Sequence, residues 1–344
     1  MMLVLLQGTC TPLAHAHAGR TPCAASDDGR VGLASLQPRV YIASCDRCAL
    51  SPSRLSLAVR QISSCAKLYG EHIGRKVSTH MKISTCSDRP ILVPCGLNDF
   101  EHQIDPYVGC EHYCYYCYVL DQAETDWTKE ILIHADVAAR LGGELEGLKP
   151  QTIYMGYHTD PYQPCESELR QTRQVLELLL ERGFSASILT KSDLVLRDTD
   201  VLREMAHSNV SVSVAFNEER VRRLFEANTI ATQRRIEALR KLREVGVSTS
   251  AMVCPVIPHI TDAMAIVGEV APHSDVVWVY GLSVQMPTQR CWGNVQDVLS
   301  RNFAELKEDI ESAVLDSGHP FWSDLRKSLE DVKESIASDL RIHV

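Results

Sequence analysis

From about residue 103 the chain repeats one pattern, a short apolar run followed by a longer segment of helical period. Runs of strand length lie at 103–108, 152–157, 185–190, 210–216, 247–254 and 275–282. Between them, 166–182 puts Leu169, Leu176, Leu179 and Leu180 on one face, and 232–244 groups Ile236, Leu239 and Leu242 ahead of Gly246, a C-cap. Shorter helices are expected at 136–148 and 199–207, with Asp136 and Asp198 as N-caps, and Pro255, Pro258 and Asp262 read as a fixed turn followed by an N-cap. Strands that alternate with helices require parallel pairing through right-handed crossovers. Six such units over about 200 residues predict an α/β fold, a partial (β/α)6 TIM-type barrel, rather than the closed eight-unit form. The barrel core is placed at 89–292, and a C-terminal helical segment at 293–344 contains helices over 293–317 and 321–341.

The segment before the repeat has a different composition. Residues 1–65 hold six arginines and three aspartates, a charge of +3 against −12 for the remainder. No sustained period runs through it, which predicts a low-order extension over 1–88. Residues 1–18 fit a signal peptide poorly, since no basic residue precedes Leu3–Leu6 and that run is short of about 7–15 residues. A transit segment, or an over-long start with the working protein beginning near Met81, fits better. No window approaches about 18 consecutive apolar residues, so no membrane span is expected and the cytoplasm is the expected compartment unless 1–65 directs import. The net charge of −9 gives no indication of nucleic-acid binding over the whole surface.

Thirteen cysteines, an odd number spread over 344 residues, do not make a secreted disulfide scaffold. Three of them, Cys110, Cys114 and Cys117, are spaced C-x3-C-x2-C. Thiolates so close on one loop can wrap a metal centre, and iron–sulfur ligation is the chemistry such spacing usually serves. Three ligands leave one iron of a four-iron cluster open to a substrate or cofactor, whereas a zinc site needs a fourth ligand to close its tetrahedron. Cys45-Asp46-Arg47-Cys48 lacks a second pair, and Cys86, Cys95, Cys254 and Cys291 are isolated and read as buried small hydrophobes.

The loop from Asp105-Pro106-Tyr107-Val108-Gly109-Cys110 through Glu111-His112-Tyr113-Cys114-Tyr115-Tyr116-Cys117-Tyr118 resembles the cluster loop of the radical S-adenosylmethionine (SAM) superfamily. With Thr159-Asp160-Pro161-Tyr162-Gln163-Pro164-Cys165-Glu166 some forty residues on, the chain is similar to the branch related to spore photoproduct lyase over about 90–290. It departs at Asp105, where that branch usually has Asn. The resemblance implies a [4Fe-4S] cluster on Cys110, Cys114 and Cys117, whose open iron chelates SAM and whose electron cleaves it to a 5′-deoxyadenosyl radical. It further implies an electron donor such as flavodoxin or ferredoxin.

By the same resemblance Tyr116 contacts the adenine, and Thr159, Asp160, Lys191 and Ser213, at the ends of the second, third and fourth strands, belong to the SAM site. Lys191 has a reason of its own, since a lysine after the apolar run 186–189 at a barrel mouth can pair the SAM carboxylate. Tyr116 and Tyr118 match tyrosines that in the lyase relay a hydrogen atom together with a thiol. That thiol aligns just before Thr159, at His158 here, which argues against thymine-dimer repair and leaves SAM cleavage untouched. Tyr162, Gln163 and Glu166 lie on a Pro-flanked loop that fixes polar groups. The basic groups Arg220, Arg222 and Arg223, then Arg234, Arg235, Lys241 and Arg243, read as solvated helix faces. The leading expectation is a radical SAM enzyme of unassigned substrate. The alternatives are a DNA photoproduct lyase and, from another class, a non-catalytic iron–sulfur carrier or a zinc-stabilised binding protein.

Overall fold

The computed structural model describes residues 81–344. The N-terminal extension up to residue 80, its reading as a transit segment, and the Cys45 and Cys48 pair lie outside the described residues. In chain order the strands are β1 (Lys82–Cys86), β2 (Leu92–Pro94), β3 (His102–Ile104), β4 (Tyr107–Val108), β5 (Glu130–His134), β6 (Thr152–Met155), β7 (Ser185–Thr190), β8 (Asn209–Ser213), β9 (Ser248–Val256), β10 (Val276–Gly281) and β11 (Asp339–His343). The larger sheet runs β11-β10-β9-β8-β7-β6-β3-β2, and β1-β5-β4 form a small second sheet. Every pairing from β3 to β11 in the larger sheet is parallel, and β2 is antiparallel to β3. The order begins at one edge and ends at the other without closing, which is the open α/β architecture expected from the six-fold alternation.

Period two explains which face is covered. Ile153, Met155, Ile188, Val210, Val212, Ala251, Val253, Val277 and Val279 are fully buried and pack with Leu176, Leu179, Leu239, Leu242 and Ile266 of the flanking helices. Each of these Val, Leu, Ile and Met side chains contributes roughly 1.5–3 kcal/mol by leaving water. The alternate positions, among them Tyr154, Ser187, Ser211, Ser213, Trp278 and Tyr280, give the opposite face a polar and aromatic character.

Several sequence expectations are corrected. The run 103–108 is two strands in two sheets, because Pro106 cannot donate to a ladder and restricts Asp105 before it. β1 lies inside the segment expected to be weakly ordered. It is held by parallel pairing to β5 and by the 2.5 Å Lys82–Glu130 ion pair, long-range contacts that leave no local period. The C-terminal segment is not wholly helical. Helices Arg290–Asn302, Lys307–Leu315 and Pro320–Lys333 are followed by β11, in which Leu340 and Ile342 alternate with polar residues and dock the chain against β10. The helix expected over 166–182 breaks at Arg170, which is left-handed at φ 54°, into Glu166–Leu169 and Gln171–Glu181. Asp136 and Asp198 cap nothing with their side chains, the latter being buried against Arg173 and Arg197. Asp262 does cap, accepting from the Ala265 amide at 3.0 Å. Among the described residues no helix is long and apolar enough to cross a membrane.

Candidate active site

The three cysteines follow β4, at the C-terminal edge of the parallel strands. Gly109 turns the chain into the loop at φ 97°, and a Cβ there would meet Ile131 and Trp127 at 3.0 and 3.1 Å, so the residue type is fixed twice over. The loop closes on itself through the Cys117 amide, which donates to Cys114 O at 3.0 Å, and is tied outward by the Tyr115 amide donating to Phe225 O at 2.9 Å. All three thiols are free. Burial pushes the Cys114 thiol up and the Lys191 ammonium opposes it, while Cys117 is pushed up to about 11, again chiefly by burial.

The second motif braces this loop. Thr159 Oγ1 donates to Gly109 O at 2.5 Å, and Gln163 Nε2 donates to the same carbonyl at 3.2 Å. In return the Glu111 amide donates to Gln163 Oε1 at 2.8 Å, and Glu111 Oε2 accepts from the Cys165 amide at 2.6 Å. Tyr107 donates its hydroxyl to the buried Glu166. Asp160 accepts from Thr190 Oγ1 at 2.7 Å and from the amides of Lys191 and Tyr162 at 2.7 and 2.9 Å. Its Oδ2 also lies 3.2 Å from His112 Nδ1 inside the loop. Burial works to raise the Asp160 carboxyl, but His112 and these donors outweigh it and hold it at about 2. The polar atoms of Thr159 and Asp160 are thus engaged in joining β6, β7 and the loop.

Tyr116, Lys191 and Ser213 are brought together on the other side of the loop, around two residues the sequence reading did not select. Tyr116 donates its hydroxyl to Glu226, which is fully buried and pairs with the buried Arg235 at 2.5 Å. Arg235 Nη1 donates to Ser213 O at 3.0 Å, at the end of β8. Lys191 Nζ sits 5.8 Å from the centroid of the Tyr116 ring, and among the described residues it has no hydrogen-bond or ion-pair partner. Burial would lower its pKa, yet Cys114 when it is a thiolate, and the carboxylates of Glu226 and Asp160, outweigh that and raise it, so the ammonium stays charged. Arg222 and Arg235 were expected on solvated faces and are instead buried. Arg222 caps its helix by donating to Glu226 O and Thr229 O at 2.6 and 3.0 Å. Nothing local in the sequence marks these two apart from their exposed neighbours.

Tyr116 and Tyr118 have different partners. Tyr118 is 43% exposed and donates to Tyr157 O at 2.8 Å. The next residue, His158, places Nδ1 3.1 Å from Asp105 Oδ2, and its amide donates to Asp105 Oδ1 at 2.9 Å. The two positions that depart from the lyase pattern are therefore in contact. Of the isolated cysteines, Cys86 and Cys291 are buried as expected, whereas Cys95 and Cys254 are partly exposed. Among the described residues no three His, Cys, Asp or Glu side chains converge as a single metal ion requires. A four-iron cluster makes no such demand, since each thiolate takes its own iron.

Residues 104–267 match the sequence family described as Radical SAM superfamily. An uncharacterized protein of Methanocaldococcus jannaschii is 27% identical over 224 residues, 64% of this chain and 83% of that protein. One of Mycobacterium bovis is 30% identical over 213 residues, 56% of this chain, which spans 63% of its length. Among solved structures, a spore photoproduct lyase variant with bound AdoMet and dinucleoside spore photoproduct superposes with a TM-score of 0.55 at 15% identity, covering 85% of this chain and 96% of that one. The superfamily resemblance read from the cysteine loop is borne out, and the fold is that of the lyase.

Proposed function

We propose that this chain, whose residues 104–267 make up a radical SAM domain, is a radical SAM enzyme that holds a [4Fe-4S] cluster on Cys110, Cys114 and Cys117 and binds SAM beside it. The observation that carries the reading is the ammonium of Lys191, unpartnered among the described residues and close enough to Cys114 to favour its thiolate form. An unmatched cation beside three free thiols suits a thiolate-held cluster and an amino-acid cofactor that brings a carboxylate. When bound there, cluster and SAM supply the one-electron cleavage that yields a 5′-deoxyadenosyl radical.

The chain's own part is positioning. Lys191 offers its charge to the carboxylate, Tyr116 presents its ring for the adenine, and Ser213 fixes the end of β8. Thr159 and Asp160 act one step removed, through the loop and the Lys191 backbone. A flavodoxin or ferredoxin would serve as electron donor. The dinucleoside in the structurally similar lyase belongs to that protein. Here His158 stands where the lyase pattern has a thiol, and Tyr116 and Tyr118 donate to different partners, so dimer repair is not the favoured reaction.

The test is anaerobic reconstitution with iron and sulfide, reduction with dithionite, addition of SAM, and assay for 5′-deoxyadenosine. Product formed by the wild type and lost with Cys114→Ala supports the assignment. A protein that holds four irons per chain and releases no 5′-deoxyadenosine would overturn it.

A further inference from the structure

Glu226 is a site-facing residue whose presence local physics opposes on two counts. It ends the helix Glu219–Phe225, its amide donating to Arg222 O at 2.7 Å, so its carboxylate sits at the negative end of the helix dipole. It is also fully buried, where an ionised carboxylate is costly and is retained only with partners. Both costs fall on a residue whose partners lead to the cofactor side of the cysteine loop. The carboxylate takes the Tyr116 hydroxyl with Oε1, while Oε2 pairs with Arg235 at 2.5 Å and accepts from Thr229 Oγ1 at 3.3 Å. Arg235 in turn reaches Ser213 O at 3.0 Å. One carboxylate thus joins the loop, the end of β8 and the helix Thr232–Glu244.

The charges give the arrangement a second consequence. Arg235 and Lys191 are two neighbouring cations, and among the described residues Glu226 is the one carboxylate hydrogen-bonded to the side chain of either, since Asp160, whose charge also acts on Lys191, bonds only that residue's backbone amide and lies against His112. Because the carboxylate is committed to Arg235, the positive charge left over is on Lys191, at the face of the Tyr116 ring. A cation in that state favours an anionic group close to the aromatic ring.

We infer that Glu226 is a positioning residue for the SAM site: it fixes the plane of Tyr116 and matches the charge of Arg235, so that the Tyr116 ring and the Lys191 ammonium together receive the adenine and the carboxylate of one ligand. The inference rests on the reading of the site given above, which fails on its own terms if the reconstituted wild type holds no cluster or does not bind SAM.

Two variants separate this from a merely structural role. Tyr116→Phe deletes the tie to Glu226 and leaves the Glu226–Arg235 pair whole. Glu226→Gln keeps an acceptor for the tyrosine and removes the charge that matches Arg235. For both, iron and sulfide content, the thermal midpoint, and the change that added SAM makes in the electron paramagnetic resonance spectrum of the reduced cluster are measured against SAM concentration. The expected result is wild-type iron content with the SAM titration displaced to about tenfold higher concentration, the loss of one charge-assisted hydrogen bond. A folded variant with full iron content and a titration within about twofold of wild type would falsify the inference. Should Glu226→Gln fail to fold, Tyr116→Phe decides alone.

Discussion

The carboxylate of Asp160, at the end of β6, lies 3.2 Å from the imidazole of His112, which stands between two cysteines of the C-x3-C-x2-C loop. Both side chains are buried, and the remaining partners of Asp160 come from β7 and the residue after it. A single carboxylate therefore keeps the loop in register with the strand ends that carry Lys191.

That brace sets an acid limit. Asp160 is held at about 2, below the ordinary carboxylate value, so the stability it contributes is fully present above about pH 4 and is lost as pH falls through 2. Replacing it with Asn leaves His112 without its buried counter-charge and costs about 3–5 kcal/mol near neutrality. Thermal unfolding followed from pH 6 to pH 2 should show a midpoint that falls more steeply in wild type than in Asp160→Asn. Parallel curves would mean that the carboxylate is not what acid removes.

Lys191→Met tests the unmatched cation. The substitution keeps the length and apolar stem of the side chain and deletes the charge, so the cluster, whose ligands are untouched, is expected to remain. SAM binding should weaken by about 10- to 100-fold, the worth of a charged hydrogen bond, and 5′-deoxyadenosine should fall with it. Iron analysis and equilibrium dialysis with labelled SAM on the same preparation read the two effects separately.

Cys165 distinguishes a three-thiolate cluster from a closed four-thiolate one. Its amide is bound to Glu111 of the loop, which brings a fourth cysteine to the neighbourhood, and burial together with Glu111 pushes its thiol up. Burial pushes the Cys114 and Cys117 thiols up as well, so what separates Cys165 from them is its place outside the C-x3-C-x2-C loop, on the segment that follows β6. Cys165→Ala should keep about the wild-type iron per chain and the SAM-dependent spectrum, whereas Cys114→Ala should lose both. Loss of the cluster in Cys165→Ala would identify an electron carrier without an open iron.

How legible was this site? Cys110, Cys114 and Cys117 were marked by spacing, and Lys191 by its place after an apolar run, because both signals are local. For Thr159 and Asp160 the sequence shows that a polar pair ends a strand but not that the cysteine loop folds back onto it. Glu226 and Arg235 could not be singled out. Their burial depends on how the helix Thr232–Glu244 docks beneath the loop, and Arg234 beside Arg235 is exposed with an identical local pattern. The six parallel strands were visible through period two, while β1 and β11 were missed. Strands of five residues at a sheet edge draw their order from pairing with β5 and β10 rather than from a pattern of their own.

The contact between Asp105 and His158 predicts a compensating pair. Gln103, 1% exposed, donates from Nε2 to Asp105 Oδ2 at 2.9 Å and accepts from the Gly96 amide with Oε1 at 3.1 Å, so its orientation is fixed by both ends. In Asp105→Asn the new amide hydrogens would face those of Gln103, leaving two donors opposed at a cost of about 1–3 kcal/mol. In Gln103→Glu alone, two carboxylates would meet and repel. With both substitutions, the carboxylate introduced at position 103 would accept from the amide introduced at position 105 and still accept from Gly96, restoring one negative charge and a complete set of partners. Urea unfolding of the four proteins should therefore give a double variant more stable than the two single losses add up to, with a coupling of about 0.5–3 kcal/mol. Simple additivity would show that Gln103 does not orient the Asp105 carboxylate that holds His158.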